Sequence, residues 1–551
     1  MILLLAGAGG LLLYGDYGPY SNILREDYVG PERCRDCHLQ KYNQWRTHPH
    51  SRMTANANEQ SVLGDFSGKT IEYDGGTVVF DHAEGRFTMT LSRGWQSHRF
   101  EVTRTIGSRF QQMYIGVLVS GPPAAAPLIE AGTEVKLPFA FSLVRKTWLP
   151  YTYLEGDGPR PEYTDSGERT PDDDMYDPRG FGAWVRTCIW CHNTYPYAKR
   201  LENRWLLGFP EQDIALSSEK ADPPSRPRRP PRLTLPELVT VGISCESCHF
   251  GGREHARAER QIHFYPTSDA IRFDGATPER VKTPRGSAYI VNSICRQCHT
   301  AHSTRYPNGA SIDNSAEARD LTQGACASQI RCIDCHNPHL PGPTVGAAPD
   351  REEHIEACLT CHDRYRAAGA AAAHTGHARD SGVTCLDCHM PKIVNGLAAV
   401  VRTHQISSPT DPRMFAAGAP NACNLCHLDR SVTWTVAALD RQWGVKLQPD
   451  ESWKPGYGGS LEGPTGIAWL RHPYPIVRRA AVDAYARTLG KAALPQLIPM
   501  LNDPYAANRM LALGAIERIL GRTLTEDEYS LIAPLAVRRR QAEALAAAVG
   551  R

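Results

Sequence analysis

Sixteen of the 17 cysteines in this chain stand in pairs separated by two residues, and a histidine follows every pair directly. The runs are Cys34-Arg-Asp-Cys37-His38, Cys188-Ile-Trp-Cys191-His192, Cys245-Glu-Ser-Cys248-His249 and Cys295-Arg-Gln-Cys298-His299. They continue with Cys332-Ile-Asp-Cys335-His336, Cys358-Leu-Thr-Cys361-His362, Cys385-Leu-Asp-Cys388-His389 and Cys423-Asn-Leu-Cys426-His427. Two thiols at this spacing lie on one turn and can add to the two vinyl groups of a single haem, and the histidine that follows lies under the iron as its proximal ligand. Zinc sites and thioredoxin-like centres also use paired cysteines, but neither requires histidine in the next position. Its presence after every pair points to eight covalently bound haems c. Only Cys326 is left over, and a small buried hydrophobe is its ordinary reading, with an iron ligand or a catalytic thiol as the alternative.

Of the 21 histidines, eight are proximal, so enough remain to put a second imidazole on every iron. The nine methionines occur in no recurrent context, so bis-histidine ligation is expected. His302 and His339 each lie three residues past a proximal histidine. Neither can swing to the far side of its own haem, so each would reach the iron of the next one and tie two haems into a pair. His255 follows the third motif after Gly251-Gly252, where the chain can turn sharply. His374 and His377 stand at helical spacing between two motifs, His50 follows the first motif, and His404 follows the seventh. For the eighth place His354, His48 and His263 compete, with His354 taken. His82, His98 and His472 lie remote from the motifs and are read as ordinary histidines.

Seven motifs crowd between Cys188 and His427, which leaves too few side chains per haem for a conventional core. The macrocycles are therefore expected to supply much of the buried apolar surface. The fold class expected is mainly α, a multihaem cytochrome c fold with little regular structure around stacked haems, over residues 16–440. A small antiparallel β insertion is expected at about 60–153, where runs such as Gly76-Thr-Val-Val-Phe80 and Arg86-Phe-Thr-Met-Thr-Leu91 alternate between Gly and Asp turns. Pro/Gly-rich loops follow at 155–180 and, in a basic form, at 222–232. Residues 441–551 read as a linker and an α-helical domain of HEAT-like repeats. There His472-Pro-Tyr-Pro-Ile-Val-Arg478 is echoed by Asp503-Pro-Tyr-Ala-Ala-Asn-Arg509.

Composition narrows the function classes. A net charge of +2 gives no case for nucleic-acid binding or a polybasic membrane anchor. Residues 1–15 begin with an uncharged apolar run, too short to span a bilayer but of the length of a secretory signal core. Export to the periplasm or cell exterior is expected, and membrane association through this segment is compatible with it.

The stretches from Cys34 to Met53, from Thr105 to Tyr114, from Tyr306 to His339, from His374 to Pro391 and Arg402-Thr-His404 carry a family resemblance. In them the chain resembles the multihaem cytochromes c related to cytochrome c-554, pentahaem nitrite reductase and octahaem hydroxylamine oxidoreductase, and is similar to members fused to helical repeats. The resemblance implies a mostly helical fold of stacked haem pairs, with His255, His339, His374, His377 and His404 as distal ligands. That group holds both electron carriers and oxidoreductases of small nitrogen and sulfur species. The lysine-ended motif of the nitrite reductases does not occur here. Electron transfer to or from a redox protein or membrane complex, docked through the C-terminal repeats, is the favoured function. Catalysis at one open iron, placed at the isolated first motif, is the second reading. Self-assembly into an extracellular haem filament is the third.

Overall fold

The computed structural model describes residues 20–121, 132–153, 175–202, 206–216, 233–269, 271–277, 280, 286–301, 304–340 and 352–549. The apolar N-terminal run, most of the 155–180 loop, the 222–232 loop and His302 lie outside the described residues.

The first large element is a sheet of nine strands: β1 (Thr54–Asn56), β2 (Ser67–Tyr73), β3 (Gly76–Ala83), β4 (Arg86–Arg93), β5 (Gln96–Ile106), β6 (Gln111–Ser120), β7 (Val135–Lys136), β8 (Phe139–Ser142) and β9 (Thr147–Pro150). Its path is β2-β3-β4-β5-β6-β8-β9, with β1 added to β5 and β7 to β6. Every pairing is antiparallel, as in Val79↔Thr90, Leu91↔His98 and Thr105↔Tyr114. The β2–β3 and β3–β4 links are the two-residue turns Asp74-Gly75 and Glu84-Gly85, all four residues at positive φ. Such turns match the twist of the flanking strands. Alternation places Val78 and Phe80 of β3 inside while Val79 and Asp81 stay half-exposed. The Phe80 ring stacks on Trp148 at 3.7 Å, and Phe66 meets Trp148 edge to face at 5.1 Å. Such aromatic pairs contribute about 0.5–1.5 kcal/mol each beyond their buried area.

This sheet overturns the expected mainly α fold with a small β insertion, and with it the mostly helical fold implied by the resemblance. Among the described residues 41% are helical and 16% extended, and the sheet is a structural layer of its own. Strands β2 to β9 lie within the expected 60–153 and only β1 precedes it, though not every strand shows a period of its own. Strand β8 is buried at all four positions, so it shows no in-and-out alternation. Strands β1 and β7 have three and two residues, too few for any period to register.

The helices are short through the motif region and longer at the C-terminus. Those that position the site are α1 (Leu39–Thr47), α2 (Ala288–Arg296), α3 (Glu317–Leu321), α4 (Glu352–Leu359), α5 (Ala370–Thr375) and α6 (Val432–Trp443), followed by α7 (Pro475–Leu489), α8 (Ala506–Leu520) and α9 (Leu535–Val549). Helix α6 is capped by Ser431, whose hydroxyl accepts from the Trp434 N–H. The two copies of the C-terminal sequence repeat build equivalent helix starts. Arg478 donates to the carbonyl of His472 and Arg509 to that of Asp503, each six residues back. Arg478 also makes two bonds, at 2.6 and 3.0 Å, to the fully buried Asp503 carboxylate, joining α7 to the start of α8.

Sheet and C-terminal helices share one core, in which Phe80, Phe139 and Trp148 are continuous with Trp469, Leu497 and Leu513. Tyr153, just past β9, donates to the Leu531 carbonyl at 2.6 Å and accepts from Arg509 at 2.9 Å. Arg145, in the β8–β9 turn, pairs with Glu517 of α8 at 2.5 Å. The motif-bearing segments pack against this framework.

Candidate haem-iron centres

Each motif folds as a single helical turn. The histidine N–H donates to the carbonyl of the first cysteine at 2.9–3.1 Å in seven motifs (His38, His192, His249, His299, His336, His362 and His427). The remaining motif, the seventh, forms the helix Cys385–His389 itself. One turn of this kind stacks residues i and i+4 on the same face, so the first thiol and the imidazole project together. Among the described residues no group of three or more His, Cys, Asp or Glu side chains is gathered as a metal cage.

Residues between the cysteines hold the turns against one another. The buried Glu246, inside the third motif, accepts from the N–H groups of Val29, Gly30 and Gly252, which fixes the approach to the first motif. Asn292 of α2 accepts from the Cys332 N–H and donates to the Ile330 carbonyl, clamping the fourth and fifth motifs. Arg200 donates to the Gln297 carbonyl inside the fourth motif. Arg402 donates to the Leu386 carbonyl and to Asp387, holding the segment of His404 against the seventh.

The thiols of different motifs are neighbours in consequence. Cys34 lies against Cys245, Cys191 against Cys298, and Cys295 against Cys332, each pair interacting side chain to side chain. Cys248 and Cys298, Cys335 and Cys358, Cys358 and Cys385, and Cys388 and Cys423 are within electrostatic reach of each other. These contacts link all eight motifs into one connected set.

The imidazoles follow the same logic. His38 faces His255 with ring centroids 6.0 Å apart and planes 9° from parallel. His299 faces His50 at 6.3 Å, His249 faces His339 at 6.2 Å, and His336 faces His404 at 6.3 Å. His389 faces His374 at 6.2 Å and 1°, and His427 faces His377 at 6.1 Å. Two metal–nitrogen bonds of about 2 Å each, plus the depth of two imidazole rings, put trans imidazole centroids about 6 Å apart. The six pairs match that span, and each distal ring comes from a different stretch of chain than the motif it faces. Residues and haem iron therefore fit.

Nδ1 hydrogen bonds set the orientation of several rings. His255 Nδ1 donates to the Arg260 carbonyl at 2.6 Å, His377 to Thr375 at 2.7 Å and His389 to Ser407 at 2.9 Å. This leaves Nε2 as the ligating nitrogen. Burial lowers the pKa of His50 to about 3 and that of His336 to about 4, which keeps both in the neutral form that binds a metal. His299 departs from this pattern. Burial acts to lower its pKa, but the Glu317 carboxylate, 2.9 Å from Nδ1, outweighs burial and lifts it to about 9. Glu317 answers in kind: burial acts to raise it, and the His299 bond holds it down at about 2.

The remaining candidates fall elsewhere. His354 donates through Nε2–H to the Cys335 carbonyl at 3.1 Å, and its ring lies 5.9 Å from that of His336. The His48 ring lies 4.6 Å from that of His50, tilted by 40°, and its Nδ1 accepts the His50 N–H. His263 sits between the rings of Tyr20 and Tyr265. Among the described residues no second imidazole stands opposite His192 or His362. His192 is half-buried with its pKa lowered to about 4 by burial, beside Trp190, while His362 is exposed, 6.3 Å from Tyr365. The first motif, where the second reading places an open iron, faces His255. Cys326 sits in a turn whose carbonyl accepts from Gln329 and Ile330. Glu317 was not among the expected site residues, because nothing in its local sequence marks a carboxylate that reaches back to His299.

Motif chemistry and ring geometry together define a multihaem c-type cytochrome, with haem c bound covalently through the cysteine pairs. A family model described as cytochrome c552 matches residues 372–444, which hold His374, His377 and the last two motifs. The C-type polyheme cytochrome OmcB of Geobacter sulfurreducens, in its strains PCA and DL-1 / KN400, is 25% identical over 173 residues, 25% of this chain. The chain spans only 23% of the length of that relative. The crystal structure of the outer cell wall cytochrome OcwA superposes with a TM-score of 0.39 at 14% identity, covering 95% of this chain and 99% of that one. The octaheme sulfite reductase MccA of Wolinella succinogenes gives 0.32 at 13% identity, covering 96% and 84%.

Proposed function

We propose that this chain conducts electrons through eight covalently attached haems c, exchanging them with a redox partner outside the cytoplasm. The observation that carries the reading is the set of six proximal imidazoles, each facing a second imidazole at 6.0–6.3 Å. When bound, each haem iron takes up and releases one electron. The histidine pairs would hold a haem iron from both faces and leave no place on it for another ligand. The thiols fix each group to a one-turn helix that is itself tied to its neighbours. The thiol contacts support a conduction order of first, third, fourth, fifth, sixth, seventh and eighth motifs, with the second branching from the fourth. Helices α7 and α8, with Tyr474 exposed at their edge, are the face assigned to a partner.

A second reading, an oxidoreductase of a small nitrogen or sulfur compound, is favoured at His192. His192 has no imidazole opposite it among the described residues and is flanked by the apolar cluster of Trp184, Trp190 and Tyr195.

Haem-to-protein stoichiometry and the electron paramagnetic resonance spectrum of the oxidised protein test both. Eight haems per chain with low-spin signals alone support the wire. A high-spin signal that shifts on adding nitrite, hydroxylamine or sulfite supports the oxidoreductase. A ratio well below eight overturns the proposal.

A further inference from the structure

The fourth motif occupies a special position in the thiol network. Cys298 touches Cys191 and lies beside Cys248, and Cys295 touches Cys332, so the second, third and fifth motifs all converge on it. Its proximal imidazole also has an anionic partner. His299 Nδ1 donates to Glu317 Oε2 at 2.9 Å, whereas His255, His377 and His389 donate to neutral backbone carbonyls.

Glu317 is held where it can act on that ring. Its other oxygen accepts the Ser315 N–H at 2.8 Å. The N–H groups of Ala318 and Arg319, in the first turn of α3, both donate to the His299 carbonyl, so the helix that carries the carboxylate is pinned to the ligand residue itself. Among the described residues no Lys or Arg pairs with Glu317, and its charge is directed at the imidazole.

We propose that Glu317 is a tuning residue that sets the reduction potential of the haem at His299 below those of the haems whose histidines face backbone carbonyls. This rests on the haem reading above. A carboxylate accepting from Nδ1–H draws the proton and leaves the ring a stronger electron donor. A stronger donor favours ferric over ferrous iron, so one-electron reduction at that site becomes less favourable. The branch point then passes electrons between its three arms without retaining them.

The test is a spectroelectrochemical redox titration of the full holoprotein and of Glu317→Gln, with electron paramagnetic resonance on both. The amide oxygen of glutamine can keep the hydrogen bond while the charge is lost. The expected result is eight haems in both proteins, one midpoint moved to higher potential and one low-spin signal displaced. The displaced component is assigned to His299 by its being the one that His50→Met alters. Should the glutamine variant fail to mature, Glu317→Asp serves instead: the shorter carboxylate loosens the bond and moves the same midpoint upward by less. Eight unchanged midpoints in a correctly loaded variant overturn the inference. A wild-type protein without bis-histidine low-spin signals overturns the underlying haem reading instead, and the two failures are told apart by the wild-type spectrum alone.

Discussion

His339 lies three residues beyond His336, yet its ring stands opposite His249, the proximal histidine of a motif far earlier in the chain. The same exchange recurs at His50, which faces His299, and at His404, which faces His336. On the proposed reading, a distal ligand would be a cross-link between segments as well as a group on the iron. Removing one should open an iron without releasing the haem, because the thioethers remain. His339→Ala is expected to convert one low-spin signal to high spin at unchanged haem content by pyridine haemochrome assay. The control is His354→Ala. His354 is engaged through Nε2 by the Cys335 carbonyl while His404 faces His336. Its loss should leave the spin-state distribution as in the wild type, and a new high-spin signal there would assign the ligand to His354.

At the scale of elements, the sheet behaves as a rigid layer whose tolerance is set by backbone approach. Gly116 of β6 lies against β5, and a Cβ there would come 2.7 Å from the Glu101 carbonyl oxygen. A strand backbone cannot yield as a side-chain tip can. Gly116→Ala should cost about 1–3 kcal/mol, the usual range for overpacking a tight site. The readout is the denaturant midpoint followed by far-ultraviolet circular dichroism, and an unchanged midpoint would mean that β5 and β6 separate more easily than the register suggests. The motif helices are of another kind. At four or five residues they are too short to be stable alone, and contacts such as Glu246 with Val29 and Gly30 hold them in place.

For the whole molecule, stability rests on the docking of the C-terminal helices against the sheet through Tyr153, Arg145 and a shared apolar core. The buried Arg478–Asp503 pair joins α7 to α8 inside this unit. Arg478→Leu would leave the Asp503 carboxylate buried without its cation, which costs about 3–5 kcal/mol. A lowered melting temperature is the expected outcome, and loss of the near-ultraviolet signal of Trp469 and its neighbours should accompany it. If melting is unaffected, the helical unit does not support the rest of the chain.

The covalent chemistry proposed for the motifs can be read from the sequence because it is local. Thioether attachment and proximal ligation need only residues within one turn, and their spacing states them outright. His50, His255, His339, His374, His377 and His404 were recognisable as candidates by type and surroundings, but no spacing rule pairs His50 with His299 or His339 with His249. Those pairings depend on which segments the fold brings face to face. The same holds for Glu317, whose role exists only because α3 is pinned to the His299 carbonyl. Strands β2 to β9 fall within the expected 60–153, but β1 was hidden, since its three residues pair with a strand distant in sequence. Local bonding determined what this protein can attach; long-range packing decided which histidine meets which, and that the chain is built on a sheet as much as on helices.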